Sequence, residues 1–186
     1  MRGVRECHQN GFGRGVGVGR SEVVIRAGTP VDADAVGRVH VRTWQAAYGH
    51  VFPRERLGEL SVERRAAQWR ESPPLVGEVE GTVVGFVSVG ASRDSDANGE
   101  LFAIYVDPDH WGTGVGRALI AAGEQLLREL GYTDVILWVL EDNPRARRFY
   151  ERAGWRADGT SRPITFLGIK VPEVRYRKRL GASSAS

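Results

Sequence analysis

Leu101-Phe102-Ala103-Ile104-Tyr105-Val106, stopped by Asp107-Pro108 and followed by Trp111-Gly112-Thr113-Gly114-Val115-Gly116-Arg117, decides the fold. The first six residues are apolar at nearly every position, as in a strand covered on both faces, and Asp107-Pro108 ends it. Glycines at 112, 114 and 116 turn the chain. Val115, Ala118, Leu119, Ala122, Leu126 and Leu130 then recur at helical spacing, and Gly131 stands where a left-handed residue closes a helix. Asp134 to Leu140 is a second buried strand, and Pro144 to Ala153 a second helix ended by Gly154. Strand, helix, strand, helix in this order implies a crossover between adjacent parallel strands.

Working outward, Leu75–Val79 and Thr82–Val89 flank Glu80-Gly81, the pattern of two antiparallel strands on a tight turn. Val23-Val24-Ile25 reads as a short strand, and Thr29-Pro30-Val31-Asp32 as the start of a helix. Val36, Val39, His40, Thr43, Trp44 and Ala47 form its buried stripe, which ends near Gly49. Ser61 opens a further helix through Trp69, and Val174–Arg179 is a closing strand. The whole reads as three-layer α/β around a mixed sheet, one domain over 21–180.

Composition narrows the function. The first 20 residues hold six glycines and few large apolar groups, the makeup of a flexible tail, and 181–186 read similarly. The formal charge of +3 is carried by that first stretch, where Arg2, Arg5, Arg14 and Arg20 face only Glu6. The remainder is formally neutral, so a nucleic-acid footprint is not expected. Cys7 is the lone cysteine, which excludes an internal disulfide and fits a reducing compartment. No apolar run approaches the ~18 residues of a membrane span, and the N-terminus lacks the apolar core of a signal peptide, so a cytoplasmic protein with no membrane partner is expected. Cys/His clusters of metal spacing and a Gly-x-Ser-x-Gly elbow are absent, so no metal is expected.

A buried strand, a Gly-rich turn and a helix N-terminus together form an anion site, because unpaired backbone N–H groups and the positive helix end converge. A P-loop would need Gly-Lys-Ser/Thr, but Gly116 is followed by Arg117-Ala118. A dinucleotide fingerprint counted from Gly112 would need glycine where Arg117 stands.

What remains, Trp111-x-x-Gly114-x-Gly116 after a buried strand, resembles the pyrophosphate motif of the GCN5-related N-acetyltransferases (GNAT). Asn143-x-x-Ala146-x-x-Phe149-Tyr150-x-x-x-Gly154-Trp155 is similar to that family's second cofactor motif. The match in motifs covers about 100–155. Trp111 departs from the Gln or Arg more frequent there, which puts a side-chain contact at that position in question, while a cradle of backbone amides survives the change.

The resemblance implies an α/β/α sandwich with a mixed, mostly antiparallel sheet. It also implies an acetyltransferase that moves the acetyl group of acetyl-CoA to an amine by direct attack. Backbone groups of Ile104 and Val106 would pair with the pantetheine arm, and Trp111, Gly112, Thr113, Gly114, Val115, Gly116 and Arg117 would hold the pyrophosphate. Arg117 reads equally as a solvated helix residue. Tyr150 is the expected general acid for the departing thiolate, against a core aromatic beside Phe149. Glu100 is the candidate general base, against an ordinary strand-end charge. Asn143 would fix the sulfur end or cap the helix begun by Pro144. The segment around Trp44 and Tyr48 is similar to a subgroup that includes polyamine acetyltransferases. The pair could cradle a cationic amine, although such pairs are more often core, and His40 reads as a satisfied histidine. Acceptors in view are a polyamine or other small amine, or a peptide amine. A non-catalytic acyl-CoA-binding module is the alternative, and a homodimer is compatible with the resemblance.

Overall fold

A computed structural model describes residues 22–181. The readings made over 1–20, including Cys7, and over 182–186 lie outside the described residues. Seven strands and five helices follow one another: β1 Val23–Ala27, α1 Ala33–Ala47, α2 Arg54–Gly58, α3 Val62–Glu71, β2 Leu75–Val79, β3 Thr82–Ala91, β4 Gly99–Val106, α4 Val115–Glu129, β5 Asp134–Leu140, α5 Pro144–Arg152, β6 Arg156–Phe166 and β7 Ile169–Arg179. The sheet order is β1-β2-β3-β4-β5-β7-β6. Only β4 and β5 run parallel, and every other neighbouring pair is antiparallel.

Helices cover both faces, giving the three layers expected. On one, Val36 and Val39 of α1 and Trp69 of α3 meet Val76 and Phe86. On the other, α4 lies close enough that a Cβ on Gly85 would come within 2.8 Å of the Leu119 side chain. The entry to α1 is a single 3-10 turn over Pro30–Asp32. The Asp32 carboxylate accepts from the Thr29 N–H at 2.8 Å and from the Thr29 hydroxyl at 3.0 Å. At the start of α3, the Ser61 hydroxyl accepts from the Arg64 N–H as a helix cap should. Gly81, Gly131 and Gly154 adopt the positive φ that their turns require.

One expectation needs correction. The apolar run 101–106 is not covered on both faces, since Phe102 is 38% exposed and Ala103, Ile104 and Tyr105 are half-buried. Two features explain it. Ser88 pairs with Ala103 and Val89 with Leu101, so Phe102 is an extra residue that bulges from β4. In addition, β5 pairs with β4 only over Gly99–Leu101, yet stays on β7 along its whole length from Asp134 to Leu140. The two parallel strands therefore splay apart, and the far half of β4 keeps β3 on one side but has no strand on the other.

Candidate active site

The splay exposes a row of backbone polar groups. Asp107 N–H donates to Val84 O at 2.8 Å, so residue 107 faces β3. Alternation along the strand then turns Val106 and Ile104 toward the open edge. The carbonyl of Val106 is already engaged, accepting from the Thr43 hydroxyl of α1 at 2.9 Å and from the Trp111 indole N–H at 2.8 Å. The Val106 N–H and the Ile104 pair remain for an extended ligand lying along the strand. Of the two residues expected to pair with such an arm, Ile104 keeps both groups and Val106 only its donor.

The Gly-rich turn lies at the end of this edge. Gly112 has φ +81° and Gly114, the residue before α4, φ +106°. A Cβ on Gly112 would meet nothing within 4 Å, so the turn opens onto free space. The first intrahelical bond of α4 is Ala118 N–H to Gly114 O. The N–H groups of Val115, Gly116 and Arg117 are thus the orphan donors of a helix start, on a helix of 15 residues. Val115 is fully buried and anchors the turn, and the Thr113 hydroxyl turns inward to His110 O at 2.7 Å. Arg117 makes no ion pair among the described residues. Its guanidinium lies 3.6 Å from the point a Gly114 Cβ would occupy, within reach of whatever fills the cradle.

Beside the turn stands α5. Its Phe149 ring comes 3.3 Å from the Cβ position of Gly116. Arg145, in its first turn, lays its guanidinium over the Trp111 ring at 3.7 Å from the centroid.

Tyr150 projects from the same helix and is 7% exposed. Its hydroxyl has no hydrogen-bond partner among the described residues. Burial pushes its pKa well above the ordinary tyrosine value, and the neighbouring Tyr48 and Tyr105 push the same way. Tyr48 and Tyr105 are likewise raised, burial being the main cause in each. Tyr150 therefore carries its proton throughout the physiological range. Asn143 does two jobs: its carbonyl caps α5 by accepting from Ala146 N–H at 3.0 Å, and its amide donates to the Tyr48 hydroxyl at 2.9 Å. Both amide ends of Asn143 are thus occupied, one joining α5 to α1.

Trp44 and Tyr48 belong to an aromatic cluster with Phe52 and Phe166, and are 8% and 6% exposed. Trp44 packs on Tyr48 at 4.4 Å and on Phe166 at 4.1 Å between centroids. They form a wall, as a core pair does. His40 is buried, accepts from the Trp69 indole at 3.2 Å and stacks on Tyr105 at 4.8 Å. Burial lowers its pKa to about 3, so it is neutral and a satisfied histidine.

Glu100 is 1% exposed. Its carboxylate is held by the Arg93 guanidinium on both oxygens and by the Arg93 N–H at 3.2 Å. Arg93 is itself 65% exposed along its side chain and rests on the Phe102 ring. Further along the same face, Arg162 stacks on Trp138 at 3.9 Å and pairs with Glu173. Arg175 bonds Asp94, Asp96 and Asp158 at once. That last cluster is saturated internally and has no donor to spare for a ligand.

The site thus joins the residues expected at 104–117, Asn143 and Tyr150 around one splay, with Trp44 and Tyr48 in the wall and Glu100 beneath Arg93. Tyr105 and Arg145 were not singled out from sequence. Tyr105 hides inside an apolar run, and the bulge at Phe102 resets which face it takes. Arg145 follows Asn143-Pro144 in the second motif, and that adjacency was the available signal.

Comparison with known proteins agrees with this geometry. The model of the Acetyltransferase (GNAT) family matches residues 38–155. An uncharacterized N-acetyltransferase of Bacillus subtilis, YuaI, is 33% identical over 129 residues, covering 66% of this chain and 74% of that protein. A mycothiol acetyltransferase of Propionibacterium freudenreichii is 40% identical over 105 residues, 55% of this chain and 34% of that protein. The chain spans only a fifth to a half of the mycothiol acetyltransferases it matches, with 50% for that of Kocuria rhizophila. Among solved structures, the PaiA N-acetyltransferase of Thermoplasma acidophilum in complex with coenzyme A superposes with a TM-score of 0.66 at 17% identity. That match covers 86% of this chain and 99% of the other.

Proposed function

The chain belongs to the Acetyltransferase (GNAT) family, and on that premise we propose that it transfers the acetyl group of acetyl-CoA to the amine of a small molecule. The observation that carries the reading is the juxtaposition at the splay. The unpaired edge of β4 leads into a left-handed glycine turn on a helix N-terminus, and an unpartnered tyrosine hydroxyl sits on the helix alongside.

In this reading the N–H of Val106 and the backbone pair of Ile104 hold the pantetheine arm as an added strand edge. The turn 111–117 receives the pyrophosphate on the orphan N–H groups of α4. The acceptor nitrogen attacks the thioester carbon, a C–N bond forms, and the C–S bond breaks. Tyr150 gives its proton to the departing sulfur. From reference values of about 10 for the phenol and 8.5 for the thiol the transfer is uphill, and burial of Tyr150 adds to the climb, which a site that also desolvates the departing sulfur would offset. The proton released by the amine is assigned to Glu100, reached through water once the exposed Arg93 turns outward.

A small acceptor is favoured over a peptide. Phe166 at the end of β6, Leu167 in the turn after it and Leu60 pack against the cluster of Trp44 and Tyr48. That side of the cleft is closed by aromatic packing where a peptide backbone would need an open groove. The mycothiol acetyltransferase relatives point the same way.

Calorimetric titration with acetyl-CoA and desulfo-CoA tests the cofactor half of the proposal. The wild type should bind both, and Gly114→Asp should bind neither, since it strains φ +106° and sets a carboxylate against the phosphates. Tyr150→Phe should bind normally while kcat over a panel of amines, polyamines and amino sugars included, falls about 10²–10⁴-fold. Binding without turnover of any amine by the wild type would instead favour a non-catalytic acyl-CoA module.

A further inference from the structure

Trp111 occupies a turn that otherwise offers backbone donors, and its indole N–H is spent on Val106 O. It has no polar atom left for an anion. What it offers instead is a ring face, and that face is covered by the Arg145 guanidinium. Arg145 has no carboxylate partner among the described residues. Its guanidinium is partly desolvated against the indole, which lowers its pKa from the usual arginine value, although it remains charged. Arg148, one turn further along α5, also has no ion-pair partner among the described residues. By contrast Arg147, on another side of the helix, is engaged with the Tyr176 hydroxyl and Glu141 O. An unpaired guanidinium fixed by stacking, next to an anion cradle, loses little rotamer entropy when it binds.

We infer that Arg145, held on the Trp111 indole, is a side-chain ligand of the coenzyme's phosphates. It supplies from α5 a second charge beside that of Arg117. The inference rests on the proposed coenzyme site and assigns one residue within it. Trp111 acts through Arg145 as a positioning residue.

The test is calorimetry on the full chain with coenzyme A and with 3′-dephospho-coenzyme A, in wild type, Arg145→Ala, Arg145→Lys and Trp111→Leu, alongside ligand-free thermal denaturation. Loss of a charged hydrogen bond should weaken coenzyme A binding by about 10- to 100-fold in Arg145→Ala. The Lys variant should recover part of it, and Trp111→Leu should be weaker than wild type by a smaller factor. The wild-type advantage should shrink as salt rises, as a charge contact does and an apolar clamp does not. If the defect vanishes with the 3′-dephospho ligand, Arg145 reads the 3′-phosphate; if it persists, the pyrophosphate. Equal affinity of wild type and Arg145→Ala overturns the inference while leaving the coenzyme site standing. A defect insensitive to salt and matched by a lower ligand-free melting temperature overturns it too, marking the stack as structural. A wild type that binds no coenzyme A removes both.

Discussion

Glu100 shows how one residue can be read in two ways and separated by its partner. A buried carboxylate gripped by a guanidinium has a structural reason to be there, and the proposed base role needs Arg93 to leave. If the pair is only structural, Glu100→Gln and Arg93→Ala should lose stability and activity in parallel. If Glu100 takes the amine proton, Glu100→Gln should cost about 10²–10⁴ in kcat, while Arg93→Ala keeps turnover despite a lower melting temperature. Steady-state kinetics beside thermal denaturation of both variants distinguishes the cases. The turn glycines at 112 and 114 were legible in the sequence because residue type and spacing alone express a left-handed turn, whereas Tyr150 was singled out by its place in a motif that resembles the family's second. The grip of Arg93 on Glu100 and the seat of Arg145 on Trp111 were not legible. Each joins two segments across irregular backbone, where no period relates one side chain to the other.

At the scale of elements, the seat of α1 on the sheet should respond to pH. His40 is wedged between Trp69 and Tyr105 with Arg65 nearby, and its pKa falls from the usual 6.5 to about 3, burial first and Arg65 second. The unfolded chain then binds a proton below about pH 6.5 that the folded chain refuses until about pH 3. Stability through this group is complete above the first value and drains away as pH falls toward the second. Between pH 7 and pH 5 the loss should be about 2 kcal/mol, read by urea denaturation, and His40→Gln should flatten that slope. The stripe of α1, the β2–β3 hairpin and the β4–α4–β5 crossover followed from periodicity and turn residues. Two elements escaped it. α2 has only five residues, too few for a helical period. β6 is an edge strand whose first four residues are exposed and which carries a register shift, so no alternation is written into Arg156–Ser161. The full span of β7 was missed with it, because its first half pairs with that unseen edge.

Across the whole molecule, Arg175 links the β3–β4 loop to β6 and β7 through Asp94, Asp96, Asp158 and the Thr160 hydroxyl. It also flanks Trp138, whose indole donates to Asp94. Arg175→Met removes the most buried cation of the cluster and leaves Asp96 and Asp158 to Arg177 and Asp94 to Arg162, so it should destabilise the fold by about 2 kcal/mol at pH 7, seen as a lower urea midpoint. Asp96 is held below the usual carboxylate range chiefly by its bond from Arg175. Asp158 is also lowered, despite the opposing effect of burial, by Thr160 and Arg175. Their contribution is present above the ordinary carboxylate pKa and is lost as pH falls through the depressed values. The gap between wild type and variant should therefore hold from pH 8 to 5 and close only below about pH 4.

The short ladder between β4 and β5 reaches further than the site it opens. Three residue pairs are all the parallel backbone seam that joins the strands before the splay to those after it. On the proposed site, a pantetheine arm laced along Ile104 and Val106 would bridge the gap, and the stability gained would grow with the ratio of free coenzyme to its dissociation constant. Proteases that cleave chains in their opened state would meet fewer of them when the coenzyme is plentiful. The lifetime of the protein would then follow the cell's whole coenzyme A pool, acetylated or not, because the arm is common to both.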